Sequence, residues 1–477
     1  MRAMSSMSSK RSRRKAGDRM RICMVSDFFY PNMGGVETHI WSLSQCLMQR
    51  GHKVIVVTHA YDGYQGVRYM TNGLKVYYLS LSTCYDQVIF PSLCSFFALF
   101  RNILVRERIS IVHGHQSTSP LTHECLLYAR ALGHRACFTD HSLFGFSDWA
   151  SIHVNKFLHM TMSDIDHVIC VSNTCRENLV LRAALHPQHV SAIPNAVDAT
   201  KFTPDPSRRD PDRITVVMLS RLVYRKGMDL AARVIPSICA KYKDVHFIIG
   251  GDGPKKVLLE EMRERYQLHE RVEFLGAVPH HRVRDVLVRG NIFFNCSLTE
   301  SFCVAILEAA ACGLHVVSTN VGGVPEVLPE SMIRFADPNV SSLTEAISDS
   351  LAISKRSVPS EMHTKVKSMY SWVDVAKRTE RVYNDVMAKK QPTLVSRLLR
   401  YMSAGPVAGS FLCCLAIVLS FLRLVCEWLW PASSIEFVPD FFSYIPTHFP
   451  YGTTVGRKKH SHTTPMRHDS DDGGESR

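Results

Sequence analysis

The chain has 477 residues, 46% hydrophobic and 21% charged, with 56 Lys and Arg against 43 Asp and Glu. That length exceeds one ordinary domain and that apolar fraction excludes global disorder, so two core domains of about 150–200 residues each, with appendages, are expected. Part of the net charge of +13 sits in a basic arm over residues 1–20 (Lys10, Arg11, Arg13, Arg14, Lys15, Arg19), with Arg21 beside it. No aromatic interleaving or nucleic-acid module accompanies the arm, so no nucleic-acid partner is expected.

No apolar stretch of signal-peptide length precedes the first strand. From Arg21 on, short β-rich runs alternate with helix-length segments: Ile22–Val25, Val54–Thr58, Val76–Leu81, Ile109–His113, Ala136–Thr139, Val168–Val171 and Val190–Ile193 read as strands, Glu37–Arg50 and Thr174–Leu185 as helices. This alternation predicts βαβ units on a parallel sheet over residues 21–195. Gly34-Gly35, between the first strand and its helix, lets backbone N–H groups approach an anion at the helix N-terminus; a plain tight turn is the equal alternative. Val88–Phe100 is either a membrane-apposed amphipathic helix or a core helix, and the pattern alone favours the core. The segment Pro194–Asp198 and the polar stretch after it read as a domain boundary.

The strand pattern restarts at Ile214–Leu219 and continues through His246–Ile249, Val272–Leu275, Ile292–Asn295 and Val316–Ser318, predicting a second doubly wound domain over residues 196–370. Two such domains place an interdomain cleft at the carboxyl ends of their strands. Arg221, directly after a strand, offers a planar fork of donors and Lys226 a point charge, a pair suited to a diphosphate. Glu300 and Glu308 stand eight residues apart. Both project to one side if a helix starts near Ser301, and a carboxylate accepts well from vicinal hydroxyls. The pairs Asp164-Ile165-Asp166 and Asp210-Pro211-Asp212 have no second ligand cluster, so no metal is expected. The 15 cysteines are scattered with no Cys-x-x-Cys, which points to a reduced, cytosol-facing protein.

Helical segments are expected over residues 371–400. Tyr401–Leu422 then holds 22 uncharged residues, about 33 Å as a helix, enough to cross a bilayer. Lys389, Lys390, Arg397 and Arg400 precede it, whereas Arg423 is the only basic residue from there to Arg457. The asymmetry predicts cytosolic catalytic domains and a lumenal tail over residues 423–477, its last part (about 456–477) disordered.

The motif Glu300-Ser301-Phe302-Cys303…Glu308…Gly313, with Val321-Gly322-Gly323-Val324-Pro325-Glu326, Gly34-Gly35-Val36-Glu37, Arg221…Lys226-Gly227 and Gly250-Gly251-Asp252-Gly253-Pro254, resembles the retaining GT-B glycosyltransferases of family 4. Met24–Glu37, Phe138–Phe146 and Leu219–Gly227 narrow the resemblance to the PIG-A family of phosphatidylinositol N-acetylglucosaminyltransferases. It covers about four-fifths of the chain. The resemblance implies two Rossmann-like domains and retaining transfer of N-acetylglucosamine from UDP-N-acetylglucosamine to phosphatidylinositol, without a metal or other cofactor. Partners implied are that lipid, the membrane of the endoplasmic reticulum and the other members of a multisubunit complex. Carried over by residue, Arg221 and Lys226 hold the diphosphate, Glu308 the ribose, Glu300 the donor sugar, and His141 faces the transferred sugar. Gly34, Gly35, Ser301, Phe302 and Cys303 line the donor. Many family members carry glycine where Ser301 and Cys303 stand, which puts close approach of the backbone there in question. The family suggests front-face attack; the residues alone leave Glu300 open as a nucleophile. Alternatives of other classes are a lipid-linked mannosyltransferase of the same fold and a non-catalytic scaffold protein.

Overall fold

The computed structural model describes residues 19–85, 87–146 and 148–439. Most of the basic arm and the terminal part of the tail lie outside the described residues. The first domain runs β1 (Arg21–Val25), α1 (Gly35–Gln49), β2 (Lys53–His59), β3 (Gly66–Tyr69), β4 (Lys75–Leu79), β5 (Thr83–Tyr85), β6 (Val88–Ile89), α2 (Phe97–Arg106), β7 (Ile111–His115), α3 (Pro120–Leu132), β8 (Arg135–Asp140), α4 (Trp149–Met162), β9 (His167–Cys170), α5 (Asn173–Arg182) and β10 (Val190–Ala192). Eight of these strands form one sheet in the order β10-β9-β8-β7-β1-β2-β4-β3, parallel except for β3. Its central strands are near-continuous apolar runs because helices cover both faces; β1 buries Ile22 to Val25 completely. Helix starts follow local chemistry: Ser119 caps α3 ahead of Pro120, and Ser172 caps α5.

The second domain runs β11 (Ile214–Leu219), α6 (Met228–Lys241), β12 (Val245–Gly250), α7 (Lys256–Arg265), β13 (Val272–Gly276), α8 (Val283–Leu287), β14 (Ile292–Asn295), α9 (Val304–Ala311), β15 (His315–Thr319), β16 (Ile333–Ala336) and α10 (Val340–Arg356). Its six strands are all parallel, in the order β13-β12-β11-β14-β15-β16. Strand order reverses between β1 and β7 in the first sheet and between β11 and β14 in the second. At such switch points the loops after the strands splay apart and leave a crevice.

After α11 (Pro359–Met369) the chain returns to the first domain. In α12 (Trp372–Ala388), Glu380 accepts from Arg50 at 2.6 Å and the Tyr383 hydroxyl bonds His113 at 2.6 Å. Residues 371–400 therefore pack on the domain from which they are most distant in sequence.

The apolar segment differs from expectation in its limits. Tyr401 is buried in a separate short helix, α13 (Leu394–Met402), whose Arg397 pairs with Asp164 at 2.7 Å. The long apolar helix is α14 (Pro406–Leu429), 24 residues set off by a turn at Ser403–Gly405. It is long and apolar enough to cross a membrane. One side, with Leu412, Ala416 and Leu419, packs on the first domain, and the other exposes Val407, Phe411, Phe421 and Trp428. Glu427 near its end pairs with Arg101 of α2. Val88–Phe100 also resolves differently: β6 and a loop come first, and the helix begins at Phe97 and buries Phe97, Phe100 and Leu104.

Candidate active site

Arg221, Lys226 and Glu300 follow the two strands that flank the switch point of the second sheet, and the fold brings the last two together. Lys226 Nζ forms an ion pair with Glu300 Oε1, which also accepts from Ser297 Oγ at 2.8 Å. Burial pulls the Lys226 ammonium down, but Glu300 and Cys303 outweigh it, so its pKa stands above the usual value. Arg221 is exposed, close enough to Lys226 to oppose that charge and to Glu37 of α1 to favour that carboxylate. Gly227 fixes this loop. Its φ is 73°, and a Cβ there would land on the Cys296 carbonyl.

The loop to α9 departs from the expected register. α9 starts at Val304, not near Ser301, and Cys303 precedes it with φ 70° and ψ 79°. Glu300 and Glu308 therefore do not share a helix face: Glu300 turns to Lys226, whereas Glu308 meets His280 Nε2 at 3.0 Å. That bond holds the His280 imidazole above its ordinary pKa. Phe302 is buried against Tyr370, so its side chain lies in the core and only its backbone can face a donor. Ser301 spends its hydroxyl on the His141 carbonyl at 2.6 Å, and its own carbonyl accepts from Ser172 Oγ at 2.7 Å. Both bonds tie the two domains together.

On the facing domain, Gly34 precedes α1, whose N-terminus carries no side-chain cap. A Cβ at Gly34 would come within 2.6 Å of Glu37 Oε2, whereas one at Gly35 meets open space. The N–H groups of that first turn make an anion-binding surface, on which the Glu37 carboxylate already accepts from its own backbone N–H. A cavity of about 240 Å³ lies between the domains, lined among others by Glu37, Trp41, Lys201, His280, Glu308 and Trp372. Glu37 stood in a quoted motif without a role and His280 in none; both enter the site only through the fold.

His141 follows β8 as expected, but three more histidines surround it. His115 Nδ1 stands 3.4 Å from His141 Nε2, the His39 and His141 rings meet edge-on at 4.6 Å, and His113 lies 4.3 Å from the His115 ring. The His-Gly-His at the end of β7 was the available sequence signal. One nitrogen from each of His39, His115 and His141 lies within 4.8 Å of the others. Of the two Asp-x-Asp pairs, the first is committed elsewhere: Asp164 and Asp166 pair with Arg130 at 3.3 and 2.6 Å.

Two facing doubly wound domains, with a Lys–Glu pair and an exposed arginine at the switch of the second sheet, define a GT-B glycosyltransferase. The fold is shared by solved structures of low identity. Sucrose-phosphate synthase from Thermosynechococcus elongatus matches with a TM-score of 0.64 and 19% identity over 78% of this chain and all of that one. Anabaena HepE, solved with UDP and glucose, matches with 0.61 and 16% over 76% of this chain and 99% of that one. Family models described as PIGA (GPI anchor biosynthesis) and Glycosyl transferases group 1 match residues 59–148 and 200–365.

Among curated relatives, the PIG-A-type phosphatidylinositol N-acetylglucosaminyltransferase subunit from Homo sapiens is 54% identical over 88% of this chain and 87% of its own length. The gpi3 subunit of the same enzyme from Schizosaccharomyces pombe is 54% identical over 87% of this chain and 91% of its own. The chain belongs to the PIG-A/GPI3 family of phosphatidylinositol N-acetylglucosaminyltransferase subunits.

Proposed function

We propose that this chain transfers N-acetylglucosamine from UDP-N-acetylglucosamine to phosphatidylinositol, with retention, as the catalytic subunit of the complex that begins GPI-anchor synthesis. The observation that carries the reading is the Lys226–Glu300 pair beside Arg221, facing the uncapped N-terminus of α1 across the cleft. An intact set of this kind favours a catalyst over a scaffold. In the reaction the bond from the anomeric carbon to the diphosphate breaks and one to an inositol oxygen forms. The inositol proton passes to the departing phosphate oxygen on the same face. Arg221, Lys226 and the α1 N-terminus stabilise the negative charge that grows on the diphosphate, a task that needs no metal. Glu308, held by His280, accepts from the ribose hydroxyls, and Glu300 orients the donor sugar. His141 faces the transferred sugar, and the backbone of Gly34, Gly35 and Ser301–Cys303 lines the donor.

In this reading α14, long and apolar enough to cross a bilayer, anchors the chain in the membrane of the endoplasmic reticulum, with catalytic domains cytosolic and the tail lumenal. The Lys/Arg excess before the apolar helix supports this orientation, as do fifteen free cysteines. Membranes holding the assembled complex, given phosphatidylinositol with labelled UDP-N-acetylglucosamine or GDP-mannose, test the donor and acceptor. A glycolipid formed from the UDP-sugar alone is expected; product from GDP-mannose alone overturns the reading in favour of a mannosyltransferase.

A further inference from the structure

Three buried imidazoles converge with the half-buried His141 behind the cleft, and only His141 has been given a role. Asn195 Oδ1 stands 2.7 Å from His39 Nδ1; an amide oxygen only accepts, so His39 carries its proton on Nδ1. Its buried Nε2 is then a bare lone pair, and it has no hydrogen-bond partner among the described residues. His115 Nε2 stands 3.5 Å from the Met24 thioether, which also only accepts, so His115 carries its proton on Nε2 and turns a lone pair, Nδ1, toward His141. His115 thus presents a lone pair to His141, whose Nε2 lies 3.4 Å from His115 Nδ1. A second lone pair at that nitrogen would leave the contact repulsive; a proton there satisfies it.

We propose that His115 and Met24 are positioning residues that hold His141 as the Nε2–H tautomer, leaving its Nδ1 to meet the transferred sugar as a hydrogen-bond acceptor. Histidine selects its tautomer through the bond made by its other nitrogen, and here that bond is supplied by a second imidazole instead of the usual carboxylate or carbonyl. Burial keeps the cluster neutral, lowering His39 to about 4 and His113 to about 3. His113 completes the stack, with the Tyr383 hydroxyl at Nδ1 and Thr139 Oγ1 at Nε2, and so links it to α12. The site discriminates accordingly. An acceptor at Nδ1 favours a sugar that brings a hydroxyl, and leaves an unpaired lone pair against one that lacks it.

The role at the sugar rests on the donor reading above, but the tautomer does not. The test is imidazole nitrogen NMR on the full chain in lipid nanodiscs, without donor, together with transfer kinetics of the complex. His141 is expected to show one neutral form, protonated at Nε2. His115→Phe keeps the ring stack and removes the acceptor. It should convert His141 to a tautomer mixture and lower kcat by about 10–100-fold while donor KM changes less than about threefold, as expected for misorientation. Met24→Leu, a core swap of similar volume, should move both readouts the same way by less, and covers the case in which His115→Phe does not fold. A His141 protonated at Nδ1 in the parent, or a His141 signal unchanged in both variants, overturns the proposal. A parent complex that is inactive with UDP-N-acetylglucosamine but keeps the Nε2–H signal sinks the donor reading alone.

Discussion

In the proposed reaction Arg221 and Lys226 divide one task between two kinds of cation. Lys226 is already paired with Glu300, whereas Arg221 stands exposed. Arg221 is the group that gains most when a diphosphate arrives. Arg221→Ala should therefore lower transfer by about 10²–10³-fold, the effect of losing one preorganised donor to leaving-group charge. Near-normal turnover at normal protein level would remove it from the site. Glu308 has a different part in that proposal, on donor binding. Glu308→Gln keeps the shape and weakens a charge-assisted acceptor, so UDP affinity, measured by calorimetry, should fall by about tenfold. Unchanged affinity would make Glu308 structural. His280 adds a pH dependence with a definite sign. Its folded pKa is raised by Glu308, so the pair's contribution is full below the unfolded value of about 6.5 and is lost as pH rises through the folded one. His280→Gln should flatten thermal stability across that window; an unchanged slope would show that another group is responsible.

At the scale of elements, the site depends on loops whose geometry forbids most substitutions. Gly227→Ala places a methyl group against the Cys296 carbonyl at a left-handed φ, and should destabilise the second domain by about 1–3 kcal/mol by denaturant unfolding. Full stability would mean that the loop relaxes freely. Cys303 holds φ 70° without being glycine, so at this one of the two positions where many family members carry glycine the backbone sits in the left-handed region and bears its cost. Glu326 bridges the domains, accepting from the backbone N–H groups of Asn173 and Thr174 at 2.7 Å each and capping α5 from the other side of the cleft. Burial pushes its pKa up, but these bonds prevail and hold it below the usual range. Its contribution is therefore present above the unfolded pKa, about 4.3, and is lost as pH falls through the folded value. Glu326→Ala should speed amide exchange at residues 173–175 and cost about 1 kcal/mol, a modest figure because the group is partly exposed. Exchange unchanged there would exclude a domain latch.

Across the whole molecule, the orientation in the membrane makes a separate test. Two Asn-x-Ser acceptors occur, but Asn295 is buried and bonded to Ser318 Oγ, so its lack of glycan would be uninformative. Asn339 caps α10 at the surface and is the useful reporter. In sealed microsomes the catalytic domains should be open to protease and Asn339 unmodified. Protection of the domains, or glycan on Asn339, would reverse the topology.

The main strands of both sheets were legible because a parallel strand buried on both faces must be apolar along its length, as in β1, β11 and β14. The strands that escaped notice, β3, β5, β6 and β16, are two to four residues long, and β3 is exposed throughout, so no burial imposed a pattern on it. The candidate residues were legible as types after strands: Arg221, Lys226, Glu300, Glu308 and His141 needed only their positions and a family pattern. What they touch was not legible. The Lys226–Glu300 pair spans 74 residues, His39 and Asn195 span 156, and His113 and Tyr383 span 270. Local sequence dictates dihedral angles, caps and burial pattern, because those depend on neighbours a few residues away. Partners so distant in the chain meet only when the two switch points face each other and α12 crosses back, so the pairing of charges and the proton positions in the histidine cluster were decided by the tertiary structure.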